Sequence, residues 1–318
     1  MPCTRRAVID IGTNSVKLLV AEVAGQHVNP LWEGSKQTRL GRGFYETRVL
    51  QAEPIESTAK AVAQFAETAR EWKAVSIRVI ATSAARDAVN PQDLYSAIEV
   101  AAGLKIEIIS GDQEADWVFQ GVTTDPELAK DPLLLLDVGG GSTEFILGHG
   151  GHKNFRQSFP LGTVRLLEKM PPSDPPTPAE LAACQRWLRE FLQTTVRPEL
   201  QPALRREAAR GEPRPHLRLV GTGGTTAILA RMEAKLADYD RNRIEAVRLS
   251  LAQLQAHLQR LWTLSLADRK QIVGLPKKRA DVILPGVAIY EAVMEEFGFA
   301  ELRVSTRGLR FAAVMDGA

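Results

Sequence analysis

One phrase occurs twice in this chain. VIDIGTNSVKL near the N-terminus and LLDVGGGSTEF in the middle each run an apolar strand into an aspartate, a glycine turn and hydroxyl residues, then resume as apolar sequence. The two aspartates, Asp10 and Asp137, stand 137 − 10 = 127 positions apart. Strand, glycine turn, strand is the pattern of a hairpin, and stating it twice divides the chain into two similar halves. The 318 residues are too many for one ordinary core and suit two domains. Around each phrase, β-branched strands alternate with helical periodicity, which implies an α/β fold with mixed sheets covered on their faces.

Strands are expected at 7–13, 15–23, 75–83, 104–110, 133–138, 143–148 and 301–306, and 155–162 reads as another. HVNPLWEGSKQTRLG reads as extended or loop material. Helices are expected at 56–74, where an acidic, hydroxyl-bearing start suits a cap, and at 91–102, with Pro91 in the first turn. Others are expected at 112–122, about 178–210, 250–263 and 279–297, with a closing helix at about 307–316. The domain boundary is placed near residue 123, giving 1–123 and 124–318, with the closing helix packing back on the first domain.

Composition excludes several classes. The hydrophobic and charged shares, 44% and 25%, are those of a globular protein. No apolar run reaches the roughly 18 residues of a membrane span, so no membrane partner and a cytoplasmic location are expected. Two cysteines, Cys3 and Cys184, cannot build a disulfide framework, and no C-x-x-C or H-E-x-x-H spacing occurs. His149 and His152 flank a glycine turn, a weak metal pattern. A net charge of +2 does not point to nucleic acid. Local charge is more telling: TRLGRGF (38–44), PKKRAD (276–281), Arg86, Arg165, Arg307 and Arg310 lie beside turn signals. Converging on one site, they would bind a polyanion.

Glycines after a buried strand allow a sharp turn and present N–H groups at close range, which suits phosphate oxygens. Gly12, Thr13, Asn14 and Ser15 form one such cradle and Gly139, Gly140, Gly141, Ser142 and Thr143 the other. A carboxylate beside a phosphate repels it unless a cation intervenes, so Asp10 and Asp137 point to Mg²⁺, with Mn²⁺ the alternative. One such hairpin can be ordinary turn chemistry; two at matching places argue for a shared ligand. GTGGTT (221–226) is a third glycine turn between strand and helix, and Gly223, Gly224 and Thr225 suit an anion or close helix–strand packing. No G-K pair exists, which excludes a Walker A loop.

Taken together, these stretches resemble the exopolyphosphatase/guanosine pentaphosphate phosphohydrolase (Ppx/GppA) family, of the actin, sugar kinase and heat-shock ATPase superfamily. RLGRGF, VIATSAARDAVN, IEIISGDQEADWVFQGV, SFPLGTVRLLE, LVGTGGTTAILA, ADVILPGVAIYEAV and VSTRGLR are similar to its other signatures, nearly end to end. The resemblance implies two actin-like (ribonuclease H-like) domains flanking a central cleft. It also implies Mg²⁺-dependent release of terminal phosphate from inorganic polyphosphate or a guanosine polyphosphate, and it admits a homodimer. It points to Glu114 and Glu144 as catalytic carboxylates, Glu144 also as a metal ligand, and Arg86 as a phosphate-binding cation. Read alone, Glu114 is equally a helix-start carboxylate and Glu144 an ordinary exposed strand residue. Members often carry two adjacent glutamates where this chain has Gln113-Glu114. Larger members add a C-terminal helical region, and its lack before Ala318 counts against processive digestion of very long chains. A kinase or ATPase with an adenine pocket near GTGGTT, and a non-catalytic polyphosphate or alarmone binder, are the competing readings.

Overall fold

Each glycine turn closes an antiparallel hairpin, and each hairpin seeds one of two separate α/β units. The computed structural model describes residues 3–209 and 217–316. The first unit runs up to Asp125 and resumes at Arg307; the second is Pro126–Thr306.

In the first unit, β1 (Thr4–Ile11), β2 (Ser15–Ala24) and β3 (His27–Gln37) form an antiparallel meander. β4 (Ser76–Ala81) and β5 (Ile106–Ile108) extend it in parallel on the other side of β1, in the order β3-β2-β1-β4-β5. β3, read from the sequence as extended or loop material, is a full edge strand. An edge tolerates Pro30, and the pairing shifts register beside it. The helices are α1 (Ala52–Glu71), α2 (Ser83–Asp87), α3 (Pro91–Ala102) and α4 (Gly111–Val122). α1 starts before the expected residue 56 and uses no side-chain cap. Its buried stripe begins at Pro54 and Ile55 and continues through Ala59, Val62, Ala66 and Ala69, so packing sets the first turn. α2 is one short turn that the sequence did not announce.

The second unit repeats the plan. β6 (Leu133–Val138), β7 (Thr143–His149) and β8 (His152–Phe159) form the meander. β9 (Arg218–Thr222), β10 (Arg248–Ser250) and β11 (Glu301–Val304) complete the order β10-β11-β9-β6-β7-β8. β9 lies parallel to β6 as β4 does to β1. The helices are α5 (Thr163–Lys169), α6 (Pro178–Phe191), α7 (Arg197–Ala208), α8 (Gly223–Glu233), α9 (Arg241–Ala246), α10 (Leu251–Thr263), α11 (Leu266–Arg269) and α12 (Ile283–Phe297). The expected helix end at Arg210 lies outside the described residues. α6 opens on a capping box between Thr177 and Glu180, and a π-helical turn, Leu192–Val196, joins it to α7. Pro198 supplies no N–H to continue the α-ladder there. α12 is apolar on nearly all sides and correspondingly buried. Its expected start at 279 is a 3₁₀ turn, Lys277–Arg279.

α13 (Leu309–Met315) closes the chain. It belongs to the first unit, where Arg310 donates to the Leu18 carbonyl (3.0 Å) and Arg6 to that of Met315 (3.1 Å). No helix among the described residues is long and apolar enough to cross a membrane.

Candidate active site

The two hairpins match residue for residue. Asp10 pairs with Lys17 across β1–β2, and Asp137 pairs with Glu144 across β6–β7. The Gly12 N–H closes the first turn on the Ser15 carbonyl (3.0 Å), and Gly139 does the same to Ser142 (2.9 Å). A side chain at either glycine would crowd that carbonyl, at 3.3 and 3.0 Å respectively.

Each loop is then capped by the segment that follows its third strand. In the first unit Thr38 and Arg39 donate their N–H groups to the Asn14 carbonyl (3.2 and 3.1 Å), and Gly41 donates to that of Thr13 (2.8 Å). In the second, Thr163 donates to Gly139 (2.9 Å), while Val164 and Arg165 donate to Gly140 (2.8 and 3.1 Å). The Arg165 Nε takes the Gly141 carbonyl (2.8 Å). The carbonyls of Thr13, Asn14, Gly139, Gly140 and Gly141 are thereby bonded within the protein, while no backbone acceptor among the described residues takes the N–H of Thr13, Asn14, Gly140 or Gly141. A loop so arranged presents more backbone donors than acceptors, which suits an anion.

Side chains extend that bias in the first unit. Thr13 Oγ1, Asn14 Nδ2, Thr38 Oγ1 and Ser83 Oγ are buried without a hydrogen-bond partner. Such groups cost about 1–3 kcal/mol each unless a ligand or water meets them. Asp10, 7% exposed, is pushed above the ordinary carboxyl range by burial, which Lys17 and Arg310 oppose. Glu114, in the first turn of α4, is 8% exposed and accepts from Arg86 Nη1 at 2.9 Å. Arg86 also donates to the Ile109 carbonyl (3.3 Å). The family resemblance gives Arg86 the role of a phosphate-binding cation, and in the fold its guanidinium also pairs with Glu114. β4 and β5 are parallel neighbours, so the turns that follow them bring the pair together.

In the second unit Glu144 is 1% exposed, not an exposed strand residue, because β7 is buried on both faces. Its Oε1 accepts from Ser142 Oγ (2.9 Å) and Ser158 Oγ (2.7 Å). Thr143 donates its hydroxyl to the Leu161 carbonyl and Thr225 to that of Val138. Three of the expected phosphate-binding hydroxyls, those of Ser142, Thr143 and Thr225, therefore bond to the protein. Gly223 has φ +85° and lies against Asp137 Oδ1 so closely that no side chain fits between. Gly224 lies equally close to the Arg279 guanidinium, which brings part of the 276–281 basic cluster to this turn. Among the described residues no group of three or more His, Cys, Asp or Glu side chains forms a metal centre. His149 hydrogen-bonds the Lys130 carbonyl instead (3.1 Å). Mg²⁺ needs only one or two carboxylates. Asp137 and Glu144, directly opposed on one ladder, form a like-charge pair that a divalent ion would relieve.

Sequence reasoning missed Lys17, Gln37, Thr38, Ser83 and Ser158. Lys17 was legible, since it is Glu144 minus the repeat interval of 127. The others follow from third-strand and helix placement.

The model of the Ppx/GppA phosphatase family matches residues 19–316. The chain belongs to that family. It is 35% identical over 323 aligned positions to exopolyphosphatase 2 of Mycobacterium tuberculosis, covering 96% of both chains. The crystal structure of the Aquifex aeolicus family member superposes with a TM-score of 0.77 at 28% identity, over 99% of this chain and 97% of that one. An exopolyphosphatase structure from Cytophaga hutchinsonii reaches 0.83 at 26% identity, over 99% of each. Family membership carries with it the α/β fold of two actin-like units with mixed sheets, as found here.

Proposed function

We propose that this Ppx/GppA member hydrolyses the terminal phosphoanhydride bond of inorganic polyphosphate, releasing orthophosphate. The observation that carries this reading is the pair of capped hairpins, each leaving two loop N–H groups without a backbone acceptor, in a chain whose relative is named an exopolyphosphatase.

Hydrolysis adds water across a P–O–P bridge: a bond forms from the water oxygen to the terminal phosphorus and the bridge bond to that phosphorus breaks, leaving orthophosphate and a chain one unit shorter that keeps the bridging oxygen. Glu114 takes a proton from the attacking water, and Arg86 fixes the orientation of that carboxylate. The amides of Thr13, Asn14, Gly140 and Gly141, which no backbone carbonyl takes, bind phosphate oxygens, with Lys17 adding charge beside the first loop. Asp137 and Glu144 would hold Mg²⁺, and Ser142 and Ser158 orient the Glu144 carboxylate for it. Asp10, disfavoured as a bare anion by burial, would also gain from a nearby cation. When bound, the ion offsets charge on the phosphoryl oxygens.

Phosphate release from polyphosphate, guanosine pentaphosphate and ATP, each with Mg²⁺, tests the reading. Polyphosphate should be the best substrate, and inactivity on all three would refute it. Glu114→Gln should lower kcat by roughly 10²–10⁴-fold while retaining polyphosphate binding.

A further inference from the structure

The end of β3 carries a side chain with no obvious business at a phosphate loop. Gln37 pairs with Ser15 on the ladder, and its Nε2 donates to Asn14 Oδ1 at 3.1 Å. Contact between two carboxamides can form in either sense. In the sense observed, Asn14 Oδ1 is occupied and Asn14 Nδ2 remains buried without a partner, as does Gln37 Oε1. Reversing both amides would leave Asn14 presenting its oxygen instead. What surrounds the loop decides between them. Thr13 Oγ1 and Thr38 Oγ1 are buried and unpartnered too, and the Thr13 and Asn14 carbonyls are already bonded to residues 38–41. Asn14 is only 5% exposed, so bulk water does not compensate its amide. An acceptor lone pair aimed at an anion would repel it; an N–H attracts it.

We infer that Gln37 is a positioning residue that holds the Asn14 carboxamide with its N–H₂ toward the anion bound by the first hairpin. The inference rests on the phosphate-binding role proposed above for that hairpin, and adds the residue that sets its polarity. Gln37 touches no substrate; it acts through Asn14.

Gln37→Glu is the discriminating change. A carboxylate at 37 only accepts, so Asn14 must turn its N–H₂ to residue 37 and its oxygen to the ligand. Gln37→Met removes the anchor without adding charge. Binding of inorganic tripolyphosphate, followed calorimetrically without Mg²⁺, reads the effect apart from turnover. Gln37→Glu should weaken binding about tenfold or more, the size of one hydrogen bond to a charged group reversed, and Gln37→Met, which only frees the Asn14 amide to turn, about threefold. In turnover assays the change should fall on KM rather than kcat. In an Asn14→Ala background neither substitution should weaken binding further beyond the added charge, so Gln37→Met becomes silent. Wild-type affinity in folded Gln37→Met, or the same loss with and without Asn14, would overturn the inference. A parent protein that binds tripolyphosphate but never releases phosphate would sink the hydrolase reading and still leave this one measurable.

Discussion

The first and second hairpins share a backbone and differ in one pairing. Across from its aspartate the first places Lys17, the second Glu144. The first unit thus supplies its own countercharge beside the loop, together with buried polar atoms that lack partners, those of Thr13, Asn14, Gln37, Thr38 and Ser83 among them. In the second, loop hydroxyls are spent on Glu144 and on carbonyls, and two carboxylates face each other. The charge at the first hairpin suits an anion, and the paired carboxylates at the second suit a cation. The two hairpins keep the same turn and differ in charge.

The most severe way to break this contrast is Glu144→Lys, which imposes the first unit's pairing on the second. The expected outcome is a fall in kcat of roughly 10³-fold or more, with no rescue by raised Mg²⁺, read by phosphate release across a metal titration. Lys17→Glu makes the converse change. It should raise KM for polyphosphate about tenfold or more, and it should flatten the dependence of KM on salt, since one phosphate contact is lost.

A third comparison concerns the caps. A methyl on Gly162 would meet the backbone of Gly140 and Gly141, whereas one on Gly41 would meet the Thr13 methyl. Backbone yields less than a side-chain end. Gly162→Ala should lower Tm by about 4–8 °C and Gly41→Ala by about half that, measured by calorimetry.

The smallest effect sharpens a contrast between two buried carboxyls. At Asp10, burial is opposed by Lys17 and Arg310. At Glu291, in α12, burial comes first and the like charge of Glu295 adds to it, pushing the carboxyl up to about 7 against contributions from Gln185 and Arg189. The folded state therefore binds this proton more tightly than the unfolded one. Its contribution is present below the ordinary carboxyl range and is lost as pH rises toward 7. Glu291→Gln should raise Tm by about 2 °C at pH 8 and leave it unchanged at pH 4.

Much of this was legible in the sequence, and the limits have physical causes. The hairpins announced themselves because glycine and aspartate punctuate apolar runs. The 91–102 helix was bounded correctly because Pro91 starts it and Gly103, at φ +66°, ends it. α2, α5 and α9 were not seen, being too short to display a helical period. The burial of Glu144 was hidden because β7 is covered on both faces, which erases the alternation that marks an exposed position. The Arg86–Glu114 and Gln37–Asn14 pairs join residues 28 and 23 positions apart, and only strand order brings them together.

The placement of α13 has a consequence for how the molecule is made. Phe311, Ala312, Ala313 and Val314 are buried in the first unit, and Gly121 abuts the Gly308 carbonyl with no room for a methyl. The ribosome delivers that unit's last element only after all of Pro126–Thr306 has been synthesised. At about 5–20 residues per second, the nascent first sheet waits roughly 10–40 s with the docking surface for α13 bare. Any chaperone that attends this chain during translation would find its target there.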